Sequence, residues 1–176
     1  MFSNPKAIVN GLGITPGMVI ADVGSGSGEY SLALARAAGH SGRVYAIDVQ
    51  KDLLTKLKSQ AIGQGIGTIE IIWGDLEKVG GAGLADGSVD LVIVANVLFQ
   101  IENKENVIKE AIRIAKPQGR IVVVEWLDSF GGLGPRPQDV VSPEEVLKMF
   151  ENLRLRKSSD LKAGDHHYGL IFQKTT

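Results

Sequence analysis

The chain has 176 residues and no cysteine, which excludes disulfides, thiolate metal sites and cysteine nucleophiles. Its formal net charge of −1, with Lys and Arg scattered, speaks against a nucleic-acid surface, which carries a basic patch or stripe. Hydrophobic residues make up 44% and charged residues 22%, and no apolar run approaches the ~20 residues that cross a bilayer, so a globular protein outside the membrane is expected.

One domain spanning residues 1–176 is expected, and the absence of an apolar signal core after Met1 predicts a cytoplasmic location. Residues 1–17 read as a lead-in helix. Asn4-Pro5 suits its start, and Ala7, Ile8, Val9 and Leu12 give it an apolar face. A strand over 18–23 runs into Gly24, Gly26 and Gly28, and a helix over 29–38 follows directly. A second strand, 43–47, ends at Asp48. The helix after it, 51–62, buries Leu53, Leu54, Leu57 and Ala61 at helical spacing. The third strand, 68–73, ends at Gly74-Asp75, and the Gly-rich residues 77–87 read as loop. A fourth strand, 89–95, ends at Asn96. Its helix, 104–115, is stopped by Pro117 and Gly119. The fifth strand, 120–124, ends at Glu125-Trp126. Residues 127–141 form a long irregular segment, so the pocket beside it is expected to be either open or covered by this segment as a lid. Ser142-Pro143-Glu144-Glu145 is a capping box that opens a helix to about 152. Two β-like runs, 153–161 and 167–173, close the chain.

Strands alternating with helices predict an α/β fold: a doubly wound, mostly parallel sheet with an antiparallel C-terminal hairpin. In such sheets ligands sit outside the carboxyl ends of the strands. Here those ends carry Asp22 with the glycine loop, then Asp48, Asp75, Asn96 and Glu125-Trp126. Asp and Asn also follow strands as turn formers and helix caps, so the signal is their joint placement on one rim. The glycine loop is D-x-G-x-G-x-G rather than the dinucleotide G-x-G-x-x-G, with Glu29 where the last glycine would fall. Its backbone N–H groups are expected to point at a ligand. Asp48, about 20 residues after Gly28, is placed to accept hydrogen bonds from ribose hydroxyls. Carboxylates on both sides of the loop disfavour a pyrophosphate and favour a ligand with a cationic amine.

These motifs resemble the class I S-adenosylmethionine-dependent methyltransferases. Ala21-Asp22-Val23-Gly24-Ser25-Gly26-Ser27-Gly28 is similar to that family's glycine loop, and Val44-Tyr45-Ala46-Ile47-Asp48 to its second motif. Gly74-Asp75-Leu76 is similar to the third, and Asp86-Gly87-Ser88-Val89-Asp90-Leu91-Val92 with Asn96-Val97-Leu98 to the fourth. The resemblance implies a seven-stranded Rossmann-like methyltransferase fold, S-adenosyl-L-methionine as cofactor and S-adenosyl-L-homocysteine as product. It implies that Gly24, Ser25, Gly26 and Gly28 shape the bed for the methionine part, with Asp22 orienting the loop or reaching the amino group. It further implies Asp48 on the ribose hydroxyls, Asp75 on the adenine amino group, Val49 and Leu76 around the adenine ring, and Asn96 and Val97 near the sulfonium.

Methyl transfer of this kind is an in-line displacement, for which positioning can supply ~7–11 kcal/mol, so a catalytic base is not obligatory. Where the acceptor must lose a proton, His166 and His167 are the candidates, because an antiparallel last strand would start at the same rim. No metal is expected. The acceptor is a small metabolite or a protein, and a homodimer would be one way to complete an open pocket; nucleic acid and membrane partners are not expected. Two other readings stand beside this one: a non-catalytic methyltransferase-like binding module, and, more remotely, an NAD-dependent oxidoreductase.

Overall fold

A computed structural model describes residues 3–175; Met1, Phe2 and Thr176, at the ends of the expected lead-in and of the expected domain, lie outside the described residues. Five helices and seven strands follow in the order α1 (Pro5–Asn10), β1 (Val19–Val23), α2 (Glu29–Ala38), β2 (Arg43–Asp48), α3 (Lys51–Gly63), β3 (Ile69–Trp73), β4 (Val89–Ala95), α4 (Lys104–Ile114), β5 (Ala115–Trp126), α5 (Pro143–Asn152), β6 (Lys157–Lys162) and β7 (His167–Gln173). Local chemistry sets the helix starts. Asn4 and Asn103 cap α1 and α4 through their side chains, and Ser142 and Glu145 close a reciprocal capping box at α5.

The strands form one sheet in the order β3-β2-β1-β4-β5-β7-β6. The first five are parallel, β7 runs antiparallel to β5, and β6 antiparallel to β7. The expected doubly wound sheet with a C-terminal hairpin is therefore the fold. Its strand order turns at β1 and β4, which are neighbours although β2 and β3 lie between them in sequence. The crevice beyond the carboxyl ends of those two strands is where such sheets hold ligands.

Alternation along the central strands divides the core in two. One face packs Ile20, Val44, Val122 and Val124 under α1 and α2, with Leu54, Leu57 and Ala61 of α3 alongside. The other packs Val23, Ile47, Val94 and Val123 under α4 and α5, where the Phe150 and Phe172 rings stack 3.6 Å apart. β4 and the second half of β5 are covered on both faces, which is why they read as apolar runs.

Three boundaries differ from expectation, the first being the lead-in helix, which covers only Pro5–Asn10 of the expected 1–17 because Gly11 caps it and a turn follows. β5 starts at Ala115 rather than at residue 120, because Ala115 already pairs with Val89. The register then shifts between Val89 and Leu91, and the shift absorbs Pro117 and Gln118, whose φ is 63°. β6 starts only at Lys157: Arg154 takes φ 63°, and the Leu155 amide closes the end of α5 by donating to the Phe150 carbonyl. Among the described residues no helix is long and apolar enough to cross a membrane.

Candidate active site

The glycine loop turns off β1 toward β2. The amides of Gly24 and Ser25 both donate to the Ile47 carbonyl, at 2.8 and 3.0 Å, and that of Gly26 donates to Asp48 Oδ2 at 2.8 Å. The Gly28 amide donates back to the Ser25 carbonyl. The expectation that these N–H groups point at the ligand is therefore corrected: four of them are used to fasten the loop. Two glycines are required sterically. Gly24 has φ 73° and a Cβ there would overlap the Val97 side chain; Gly28 has φ 82° and a Cβ would overlap Leu57.

A cavity of about 510 Å³ lies above this loop, in the size range of cofactor sites. Gly24, Ser25 and Gly26 line it from the loop, Asp48 and Val49 from the end of β2, Asp75 and Leu76 from the end of β3, and Asn96 and Val97 from the end of β4. The rim thus gathers nine of the eleven residues implied for the cofactor. Gly28 lies below the cavity wall, at the N-cap of α2. Asp22 also lies off the wall. It is 2% exposed and accepts a hydrogen bond from Ser31 Oγ at 2.5 Å, with the Ser31 backbone adding to the contact. Burial raises its carboxyl to about 6 despite those bonds.

Asp48 is 6% exposed and holds two backbone amides, Gly26 through Oδ2 and Gln50 through Oδ1, each at 2.8 Å. Asp75 accepts from the Glu77 amide and pairs with Lys78 Nζ at 2.9 Å, and the Lys78 contact holds its carboxyl below the usual range. Val49 is held in turn by Trp73, whose indole N–H donates to its carbonyl while Lys51 packs over the ring. Asn96 sits in the left-handed region, φ 57°, which Asn tolerates.

Tyr30, Gln50, Leu53, Glu77, Gln100 and Ile101 also line the cavity and were not expected there; Leu53, expected in the buried face of α3, is half-buried on the cavity wall instead. Their signal was proximity: each lies within a few residues of a strand's carboxyl end. A second depression, of about 500 Å³, opens at the opposite ends of the strands between Arg43, Glu70 and Ser88. It contains none of the rim residues and is crossed by the exposed Arg43–Glu70 pair.

The two histidines separate as alternation requires. His166 Nδ1 lies 3.0 Å from Asp128, and its ring packs on Phe130. His167 pairs with Trp126 across β5 and β7, is 4% exposed, and lies 4.2 Å from the Trp126 ring. Its burial lowers its pKa and keeps the imidazole neutral. Neither histidine lines the cavity. Arg136 is engaged by Asp139.

Among the described residues, the buried side-chain polar atoms without a hydrogen-bond partner belong to Ser25, Tyr30, Asn96 and His167. Of these, Tyr30 belongs to the core cluster packed against α1, with the Ser3 side chain beside its hydroxyl, whereas Ser25 and Asn96 line the cavity just past the ends of β1 and β4. Unpaired buried groups are costly in a folded chain, and here they mark where a polar ligand completes the site. An adenosine joined to a zwitterionic amino acid fits that pattern: a diol for Asp48, a cationic amine for carbonyls of the loop, and an apolar flank of Val49 and Leu76.

Fold and site together define a class I S-adenosylmethionine-dependent methyltransferase. Residues 14–157 match the family model described as a methyltransferase domain, and the chain belongs to that family. The matched model is that of a methyltransferase domain, and a structural neighbour from Aquifex aeolicus is SAM-dependent. A ubiquinone/menaquinone biosynthesis C-methyltransferase of Burkholderia multivorans is 32% identical over 113 residues, which are 64% of this chain and 45% of that protein. Its counterpart in Burkholderia thailandensis is 31% identical over the same span, so the match covers less than half the length of these relatives. A SAM-dependent methyltransferase from Aquifex aeolicus superposes with a TM-score of 0.87 at 26% identity, covering 98% of this chain and 90% of that one. The cyclase SpnF shares the fold at a TM-score of 0.78 and 16% identity, over 97% of this chain and 79% of its own.

Proposed function

We propose that the cavity at the ends of β1 to β4 holds S-adenosyl-L-methionine and that the chain methylates a small, flat, largely apolar acceptor. The observation that carries the cofactor half is the convergence of Asp48, Asp75, the glycine loop and Asn96 on one cavity. In this reading Asp48 accepts from the ribose hydroxyls with the lone pairs left free by Gly26 and Gln50. Val49 and Leu76 flank the adenine, and Asp75 and Glu77 receive its amino group. Loop carbonyls and Ser25 Oγ hold the amino-acid end, with Asp22 acting from beneath through α2. The bound cofactor supplies an electrophilic methyl group on sulfur, which departs as the neutral thioether when the acceptor takes the carbon.

The acceptor half rests on the rim beyond Asn96. Trp126 stands at the end of β5, and the 127–141 segment exposes Leu127, Phe130 and Leu133. Gly134 packs on the Trp126 ring, so this segment serves as a cover that brings apolar surface over the acceptor. The Burkholderia relatives are named as C-methyltransferases of quinone biosynthesis, which agrees with a ring acceptor. Where the acceptor must lose a proton, His166, which is less buried than His167 and has Asp128 3.0 Å from its Nδ1, is the candidate base, acting from outside the cofactor cavity. Calorimetric titration with S-adenosyl-L-homocysteine tests the cofactor half: micromolar binding is expected, and no heat at millimolar ligand overturns it. Turnover of S-adenosyl-L-methionine with a panel of phenolic and quinol rings tests the acceptor half. Binding with no turnover across small molecules and peptides would favour the non-catalytic module instead.

A further inference from the structure

Glu125 closes β5 with its side chain in the core, 1% exposed. Its Oε1 accepts two backbone hydrogen bonds, from Val97 at 2.6 Å and from Leu98 at 2.7 Å. Those amides belong to the chain that leaves β4. Asn96 precedes them in a left-handed conformation, and a single 3-10 turn, Leu98–Gln100, follows. Asn96, Val97, Gln100 and Ile101 of this stretch all line the cavity, and Val97 also fills the space above Gly24. One carboxylate on β5 thus holds the β4 side of the site. Across β1 and β4, above the Val23–Val94 pairing, Val97 packs on Gly24 of the loop.

The groups around Glu125 do not neutralise it. From α4, Lys104 is the nearby cation, and its Nζ donates to the Ile101 carbonyl at 2.6 Å. From β7, Tyr168 gives its hydroxyl to the Val141 carbonyl, with Glu144 and Glu145 of α5 beyond it. From α2, Tyr30 stands near it, with Asp22 and Glu29 behind. Among the described residues no side chain donates to Glu125, so its acceptor capacity is spent on the backbone.

We propose that Glu125 is a positioning residue whose ionised carboxylate clamps the Val97 and Leu98 amides and thereby sets the β4 wall of the cofactor cavity. The inference rests on assigning that cavity to S-adenosyl-L-methionine. A charged acceptor holds two N–H donors far better than a protonated one. Burial pushes this carboxyl up to about 7, with the two amides pulling the other way. The clamp therefore tightens as pH rises through neutrality and slackens below it. Reciprocally, a ligand that prefers the clamped wall draws the proton off Glu125 when it binds.

The test uses Glu125→Gln, which keeps the shape and one acceptor oxygen and removes the charge. The first readout is the amide resonances of Val97 and Leu98 in cofactor-free protein between pH 5.5 and 8.5. The second is the affinity for S-adenosyl-L-homocysteine over the same range. In the native chain the two resonances should move together with a midpoint near 7, and binding should weaken about tenfold from pH 8.5 to pH 5.5. In Glu125→Gln the midpoint near 7 should vanish from both resonances, and the affinity at pH 8.5 should fall about tenfold. Resonances that do not titrate, with binding intact, overturn the clamp and leave the cofactor assignment standing. Titrating resonances without binding overturn the assignment and keep the clamp. A variant that melts earlier yet binds with the native pH profile shows a merely structural carboxylate and also overturns the proposal.

Discussion

Replacing Asp48 by Asn separates the two duties of that residue. The carboxylate holds Gly26 N–H on one oxygen and Gln50 N–H on the other, both at 2.8 Å and with 6% exposure. An amide has one acceptor. Whichever way it turns, its NH₂ faces a backbone N–H, and that buried donor is left unpaired. Such a loss costs about 1–3 kcal/mol, and the surviving bond loses its charge assistance for about 1 kcal/mol more. For a chain of this size, about 2–4 kcal/mol lowers the melting temperature by roughly 5–15 °C. The cofactor effect is additional. If both ribose hydroxyls bond the carboxylate, trading a charged acceptor for a half-amide should remove about 3 kcal/mol, or roughly a hundredfold in affinity. Thermal melts and titration with S-adenosyl-L-homocysteine read the two effects separately. A variant that melts early but binds within threefold of the native chain would show that Asp48 only fastens the loop, and would refute its assignment to the ribose.

Three further outcomes are expected. Gly28→Ala forces a left-handed alanine into Leu57 and should lose about 2–4 kcal/mol in urea unfolding; a smaller loss than 1 kcal/mol would mean that α3 gives way freely. Asp22 has its carboxyl raised from 3.8 to about 6, so the folded state binds the proton more tightly than the unfolded one. That contribution is full below about pH 4 and is lost as pH rises to about 6, amounting to roughly 3 kcal/mol, so Asp22→Asn should flatten the stability profile over that window and an unchanged slope would refute it. His166→Ala should lower kcat about a hundredfold with cofactor affinity unchanged if it takes the acceptor's proton; an unchanged kcat would leave positioning as the whole of catalysis.

The strand ends were legible because burial on both faces makes the central strands apolar until they reach the rim, where a polar residue stops the run. Asp48, Asp75 and Asn96 stood out for that reason, and the structure places all three on one cavity. Which way each polar group turns was not legible, because it depends on partners far off in sequence. The glycine-loop amides face inward only because the Ile47 carbonyl of β2 lies beside them. Asp22 serves α2 because its face of β1 meets Ser31. Glu125 could be placed on the rim, but the amides it holds come from the neighbouring strand's exit. The early start of β5 had the same cause: Pro117 and Gly119 signal a stop locally, while pairing of Ala115 with Val89 carries the extended chain through.

The inward turn of those amides also decides between the crevices such sheets build. A dinucleotide site presents free N–H groups at a helix N-terminus to a pyrophosphate. Here Gly24 and Ser25 donate to Ile47, Gly26 to Asp48 and Gly28 to Ser25, while Asp48, Glu29 and Glu77 line the same cavity. A pyrophosphate would meet carboxylates and carbonyls and would find four of the loop's five amide donors taken. A ligand with a diol, an ammonium and a sulfonium meets acceptors where it brings donors and positive charge. The chain should therefore leave NADH fluorescence unchanged at millimolar protein-saturating concentrations and should bind S-adenosyl-L-methionine more tightly at low salt than at high salt. Quenching or enhancement of NADH that S-adenosyl-L-homocysteine displaces would mean that the loop opens its amides on binding, and the electrostatic basis for choosing this cofactor would fall.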